Sequence, residues 1–153
     1  MEKKLAVIAS SPLFEMLSRS ELELLAKLAE HLRYAAGESV FEEGELGDSL
    51  YVIMHGEVEV VRREEGEVRP LTVLGPPHFF GEMSVIDKEY RSATIRARTE
   101  AELLRLSTQH LAAFREQYRD GFTFVVINIA RSLSARLREA NARLAPGRAE
   151  PRV

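Results

Sequence analysis

"HLRYAAGESVFEEGELGDSLYVIMHGEVEVVRREEGEVRPLTVLGPPHFFGEM", residues 31–83, decides the fold. Short β-rich runs are punctuated by Gly37, Gly44, Gly47, Gly56, Gly66 and Gly75. A turn signal roughly every ten residues is the rhythm of a barrel or sandwich. Within it "GEVEVV" alternates: Val58 and Val60 face one way, Glu57 and Glu59 the other. Successive strand side chains point to opposite faces, so this pattern predicts a strand buried on one side. "REEGEV" around Gly66 reads as an exposed hairpin tip, and "ATIRARTEAELLRLS" adds strands at 94–98 and 102–106.

Outside this block the period becomes helical. Pro12 suits the first position of a short turn or helix in "SSPLFEML". In "SRSELELLAKLAEHL", Ser20 followed by Glu23 has the spacing of a capping box. Leu22, Leu25, Leu28, Ala29 and Leu32 then recur at helical spacing as one buried stripe. After the barrel, "STQHLAAFREQY" predicts a short helix capped by Ser107 or Thr108. Gly121 is expected to break the chain before the longest periodic segment, residues 122–144. There Val126, Ala130, Leu133, Leu137, Ala140 and Leu144 step by 4, 3, 4, 3, 4, a heptad seam. That seam either joins two copies of the chain or packs on the barrel. "APGRAEPRV" cannot continue it and is expected to fray.

The expected architecture is therefore mainly β with flanking helices: a β-barrel or jelly roll with N-terminal helices and a long C-terminal helix. One domain is expected over residues 1–153, divided into helices 10–30, barrel 31–106, C-terminal helices 107–144 and a tail 145–153.

Bulk composition narrows the function. The chain is 45% apolar and 29% charged with net charge −3, ordinary soluble globular material and a weak candidate for nucleic-acid binding. Charge is uneven: residues 36–70 hold ten acids against three arginines, and residues 121–153 six arginines against two acids. The basic end is read as a solvated helix face. No cysteine is present, which excludes disulfides, thiolate metal sites and iron–sulfur clusters. No apolar run approaches the ~18 residues of a membrane helix. The apolar patch in "MEKKLAVIASSPLF" is too short for a signal peptide, so a cytoplasmic location is expected. His31, His55, His78 and His110 are scattered, which disfavours a metal-dependent barrel enzyme. There is no nucleophile–base constellation and no GxxxxGK[ST] loop. No metal and no catalysis are expected.

Chemistry concentrates in "FFGEMSVIDKEYRSATIRA", residues 79–97. Gly81 lets backbone approach a ligand, and the free N–H groups of a short helical turn point at an anion. Ionised Glu82 only accepts hydrogen bonds, for which sugar hydroxyls are natural donors. Arg91, nine positions on, offers a planar fork for two oxygens of a phosphate or carboxylate. Together these groups suit a nucleotide carrying about one charge. The alternative is a Glu82–Arg91 ion pair closing a loop, worth ~0–1 kcal/mol at a surface.

Phe80, Gly81, Glu82, Met83, Ser84, Arg91, Ser92, Ala93 and Thr94 resemble, in order and spacing, the phosphate-binding cassette of the cyclic nucleotide-binding domain family. Upstream, residues 42–60 are similar to that family's glycine-turn signature through Gly44, Gly47, Asp48, Tyr51, Ile53, Gly56 and Val58. The resemblance covers roughly residues 13–144. It implies that Arg91 clamps the exocyclic oxygens of a cyclic phosphate and Glu82 accepts from the ribose 2′-hydroxyl. Backbone N–H groups of Gly81 and Glu82, with Ser92 and Ala93, complete the site. Met83, Val85 and Ile86, beside Ser84, wall the pocket and relay its closure.

Tyr90 departs from the proline that many relatives carry before the arginine, and Ser92 from the threonine of cGMP-preferring relatives. The ligand implied is thus cAMP ahead of cGMP. Asn128, Arg131, Ser132 and Asn141 are candidate lid residues, each read by default as an exposed polar position. Resemblance to the catabolite activator favours a homodimer through residues 122–144. That relative adds a helix-turn-helix domain. Here only a nine-residue tail follows Leu144, so no direct DNA binding is expected and a separate effector chain is left open. The competing expectations are a ligand-independent dimerisation scaffold and a truncated transcription regulator.

Overall fold

The computed structural model describes residues 1–144. Helix α1 (Glu2–Ser10), a 3₁₀ turn (Pro12–Phe14) and α2 (Arg19–Leu28) precede eight strands. These are β1 (Glu30–Tyr34), β2 (Ser39–Phe41), β3 (Ser49–His55), β4 (Val58–Glu64), β5 (Glu67–Leu74), β6 (Phe79–Phe80), β7 (Thr94–Ala97) and β8 (Ala101–Ser107). The short helix α3 (Met83–Ile86) lies between β6 and β7, and α4 (Thr108–Gln117) and α5 (Arg119–Leu144) follow. The tail 145–153 lies outside the described residues.

The strands form two four-stranded antiparallel sheets, β1-β8-β3-β6 and β2-β7-β4-β5, the face-to-face layout of a jelly roll. Strand β3, "SLYVIMH", explains why one run is apolar on both faces. Tyr51 and Ile53 point between the sheets and pack with Val58, Phe80, Ile95 and Leu103. Leu50 and Val52 point out, against Leu13, Phe14, Leu25, Phe114, Val125 and Ile129 of the helices. Strand β8 is shared the same way, Leu103 inward, Leu104 and Leu106 toward the helices. Each such side chain contributes about 1.5–3 kcal/mol on burial, so β3 and β8 bind barrel and helices into one body.

Several local expectations change. The N-terminal segment already forms α1, which buries Ile8, and Lys4 donates to the Ala29 carbonyl. The capping box is Ser18 with Glu21, two residues earlier than Ser20 with Glu23. Ser18 Oγ accepts from Glu21 N at 3.2 Å, and Glu21 Oε1 accepts from Ser18 N at 2.7 Å. Glu23 instead pairs with Arg19 on the solvent side. In β4 the alternation breaks at a register shift between Val60 and Val61, which buries Val61.

Gly121 does not break the chain. The break falls at Tyr118, and Gly121 lies inside α5. A Cβ there would meet Glu21 Oε2 at 2.5 Å and Phe114 Cζ at 3.0 Å, so this glycine permits close helix packing. The buried face of α5 is Gly121, Val125, Asn128 and Ile129, of which Val125 and Ile129 join the core shared by the helices and β3. Of the heptad seam only Leu133 joins that core, whereas Leu137 and Leu144 are 63% and 61% exposed.

Candidate functional site

The two glycine-bearing motifs are distant in sequence and strapped together in space. Arg91 N donates to Glu45 O at 2.7 Å, Gly44 N to Arg91 O at 2.9 Å, and Gly47 N to Glu89 O at 3.0 Å. The β2–β3 loop therefore acts as a template for the segment carrying Arg91. Gly47 is required by closeness: a Cβ would come 2.5 Å from Ser84 Oγ and 2.9 Å from Arg91 Cζ. Gly81 is required by conformation as well, with φ +76° and a hypothetical Cβ 2.9 Å from both Arg91 Nη1 and Ser49 O.

Arg91 is half-buried and held without a carboxylate. Nη2 donates to Ser49 O at 2.8 Å and Nη1 to Gly81 O at 3.3 Å, while Cζ lies 3.9 Å over the Phe41 ring. Phe41 is one of three packed aromatics, with Tyr51 and Phe80 stacked at 5.1 Å between centroids. Burial lowers the Arg91 pKa, and Tyr51, Asp48, Glu82 and Glu45 oppose that shift. The outcome is a charged guanidinium with no ion pair among the described residues, placed on an aromatic platform beside Gly81.

Glu82 occupies the N-cap position of α3 without a side-chain capping bond and is 2% exposed. A buried carboxylate needs a partner. Its partner is Arg136 of α5, whose Nη2 lies 2.5 Å from Glu82 Oε2. Glu82 therefore does not close the cassette loop by pairing with Arg91.

Of the remaining expected site residues, Met83 and Ser84 form the first turn of α3, Ser84 buried. Ser92 is exposed, its carbonyl accepting from Arg62 Nε at 3.3 Å, and Ala93 is buried at the head of β7. Val85 packs on the helical core, whereas Ile86 is exposed.

The lid candidates separate. Asn128 is 4% exposed, not an exposed polar position, and spends its amide on the carbonyls of Leu13 and Glu15, both at 2.9 Å. Arg131 and Asn141 are exposed, and Ser132 accepts from Arg136 at 3.3 Å. Arg136 itself was missed. Stepping along α5 by one turn from Asn128 and Ser132 reaches it, but Arg136 is itself exposed, so periodicity alone gives no sign of its acidic partner.

Among the described residues no group of three or more metal-ligating side chains comes together, and no helix is long and apolar enough to cross a membrane.

Two four-stranded sheets in jelly-roll layout, with helices before and after them, define the class of fold. The profile of the cyclic nucleotide-binding domain matches residues 31–118. The chain belongs to that family. It is 38% identical to the cyclic AMP receptor protein of Thermus thermophilus, over 88% of this chain and 61% of that protein. The crystal structure of the Thermus thermophilus catabolite activator protein superposes with a TM-score of 0.76 at 36% identity, over 88% of this chain and 62% of that one. A cyclic nucleotide-binding domain from Methylobacillus flagellatus gives a TM-score of 0.82 at 26% identity, over 99% of this chain and 86% of that one. The chain thus spans about three fifths of the Thermus relative, 61% of its length.

Proposed function

We propose that this chain is a non-catalytic receptor module for a cyclic mononucleotide, cAMP ahead of cGMP, that signals by repositioning α5. The observation that carries this reading is Arg91: a half-buried cation held by two backbone carbonyls and with no ion pair among the described residues. A phosphate supplies the missing charge in the bidentate geometry that guanidinium favours. Gly81 and Glu82 offer backbone N–H groups, and Ser92 and Ala93 further donors. Met83, Ser84, Val85 and Ile86 form the adjoining wall.

Glu82 links binding to movement. Its carboxylate accepts a hydrogen bond from Arg136 of α5. A ribose hydroxyl donating to the same carboxylate changes how strongly Arg136 is held. Ligand then favours one placement of α5 over another by its differential affinity for the two. The free apolar residues Leu137 and Leu144 support a homodimer through residues 122–144, and a separate effector chain is the expected reader. Direct DNA reading is no part of this proposal. The same exposed seam also supports a second reading, a dimerisation scaffold that needs no ligand.

A thermal-shift titration with cAMP, cGMP and a cyclic dinucleotide tests both. A ligand at one hundred times its dissociation constant adds about 2.7 kcal/mol to the stability of the fold. Stabilisation by cAMP at lower concentration than cGMP is expected. A flat response to all three leaves the scaffold reading and removes the receptor.

A further inference from the structure

Away from the cassette, a cleft of about 340 Å³ opens between the Pro12–Phe14 turn, the segment entering β6 and the middle of α5. Small-molecule sites span about 300–1,000 Å³, so this one lies at the small end of the range. Pro12, Pro77 and Phe79 supply its apolar faces. Asn128 is wall rather than donor, because both amide N–H groups are already spent on Leu13 and Glu15 carbonyls.

The polar groups left open carry both signs. Arg131 and Glu15 line the cleft, both are exposed, and among the described residues neither side chain makes a hydrogen bond or ion pair. His78 Nδ1 lies 3.0 Å from Gly75 O. A carbonyl only accepts, so Nδ1 donates and the neutral ring offers Nε2 as an acceptor.

One kind of ligand answers all of these groups. A carboxylate fits the Arg131 fork, an ammonium fits Glu15 and His78, and an apolar side chain fits the prolines and Phe79. We propose that this cleft binds a free apolar α-amino acid, at a site separate from the phosphate cassette. Occupancy bears on α5. Ser132, on the same wall, accepts from the Arg136 nitrogen that also pairs with Glu82. A bound amino acid bridges the 3₁₀ turn, the β6 entry and α5, and holds α5 in its present place.

Calorimetry on the full chain with L-phenylalanine and L-leucine tests this, beside phenethylamine and 3-phenylpropionate, which each lack one charge. The amino acids should bind, and each single-charge analogue of phenylalanine should bind about tenfold more weakly. Arg131→Gln should erase the preference for L-phenylalanine over phenethylamine, and Glu15→Gln the preference over 3-phenylpropionate. Both positions are exposed, and thermal melting verifies that the variants fold. No heat from either amino acid at about 10 mM, enough to reveal millimolar affinity, overturns the proposal, as does unchanged selectivity in the variants. These outcomes are independent of whether the cassette binds a cyclic nucleotide.

Discussion

Arg136 Nη2 stands 2.5 Å from Glu82 Oε2, joining the long C-terminal helix to the cassette across 54 positions of sequence. Glu82 is buried and the Arg136 side chain is 54% exposed, so the pair is asymmetric. Removing the arginine leaves a largely buried carboxylate without its ion-pair partner. Arg136→Ala should cost about 1–3 kcal/mol, the desolvation penalty of an unpaired buried group. Adding Glu82→Gln should recover part of the loss. Urea denaturation of the two single variants and the double variant measures the coupling, and additive losses would show that the pair contributes nothing.

Arg91 is the group on which the receptor reading rests. Arg91→Ala should weaken cAMP binding by about 2–5 kcal/mol, well over tenfold, because the phosphate is left unpaired. Calorimetry giving equal affinity for both chains would remove Arg91 from the site.

Gly81 and Gly37 separate backbone strain from steric displacement. Both have positive φ, +76° and +91°, but a Cβ at Gly37 meets nothing within 4 Å, whereas one at Gly81 strikes Arg91 Nη1. Alanine at either position should cost about 1–3 kcal/mol in strain. Only Gly81→Ala should also reduce cAMP affinity. Matching affinities in the two variants would show that Arg91 tolerates the displacement.

Leu137 touches neither the barrel nor the helical core and is exposed on α5. Leu137→Glu should leave melting of the monomer nearly unchanged, within about 0.5 kcal/mol as for other surface positions. Sedimentation should show a dimeric parent chain and a monomeric variant. A parent that sediments as a monomer at high concentration rules out the seam as an interface.

Tyr34 and Tyr51 have pKa values raised above the ordinary 10.0, first by burial. The folded chain holds these protons more tightly than the unfolded chain. Their contribution to stability is therefore complete below about pH 10 and is lost as pH rises through the raised values. Ultraviolet titration should resolve a late-ionising pair in the folded chain that merges with the other tyrosines in urea. Indistinguishable titrations in the two conditions would contradict the burial of these phenols.

Much of the fold was legible because it is written in local periods. The alternation around Val58, the glycine punctuation and the helical stripe at Leu22–Leu25 each reflect backbone geometry that acts within a few residues. The family resemblance was legible too, since Gly81, Glu82 and Arg91 lie in one short stretch within the residues that the family profile matches. The capping box was misplaced because "SRSELE" contains two Ser-x-x-Glu pairs, and only packing decides which serine starts the helix. Gly121 was misread because glycine breaks a free helix yet serves a crowded one, where Glu21 and Phe114 leave no room for a Cβ.

By itself, then, the chain's order of residues determined most strand and helix types, the jelly-roll class and the likeness to the cyclic nucleotide-binding domain family. Partnership across the fold was decided only by tertiary structure. Nothing local says that Glu82 meets Arg136, that Asn128 ties α5 to the 3₁₀ turn, or that Arg91 rests on Phe41. Burial makes each polar group find a partner, but which partner depends on how barrel and helices pack together.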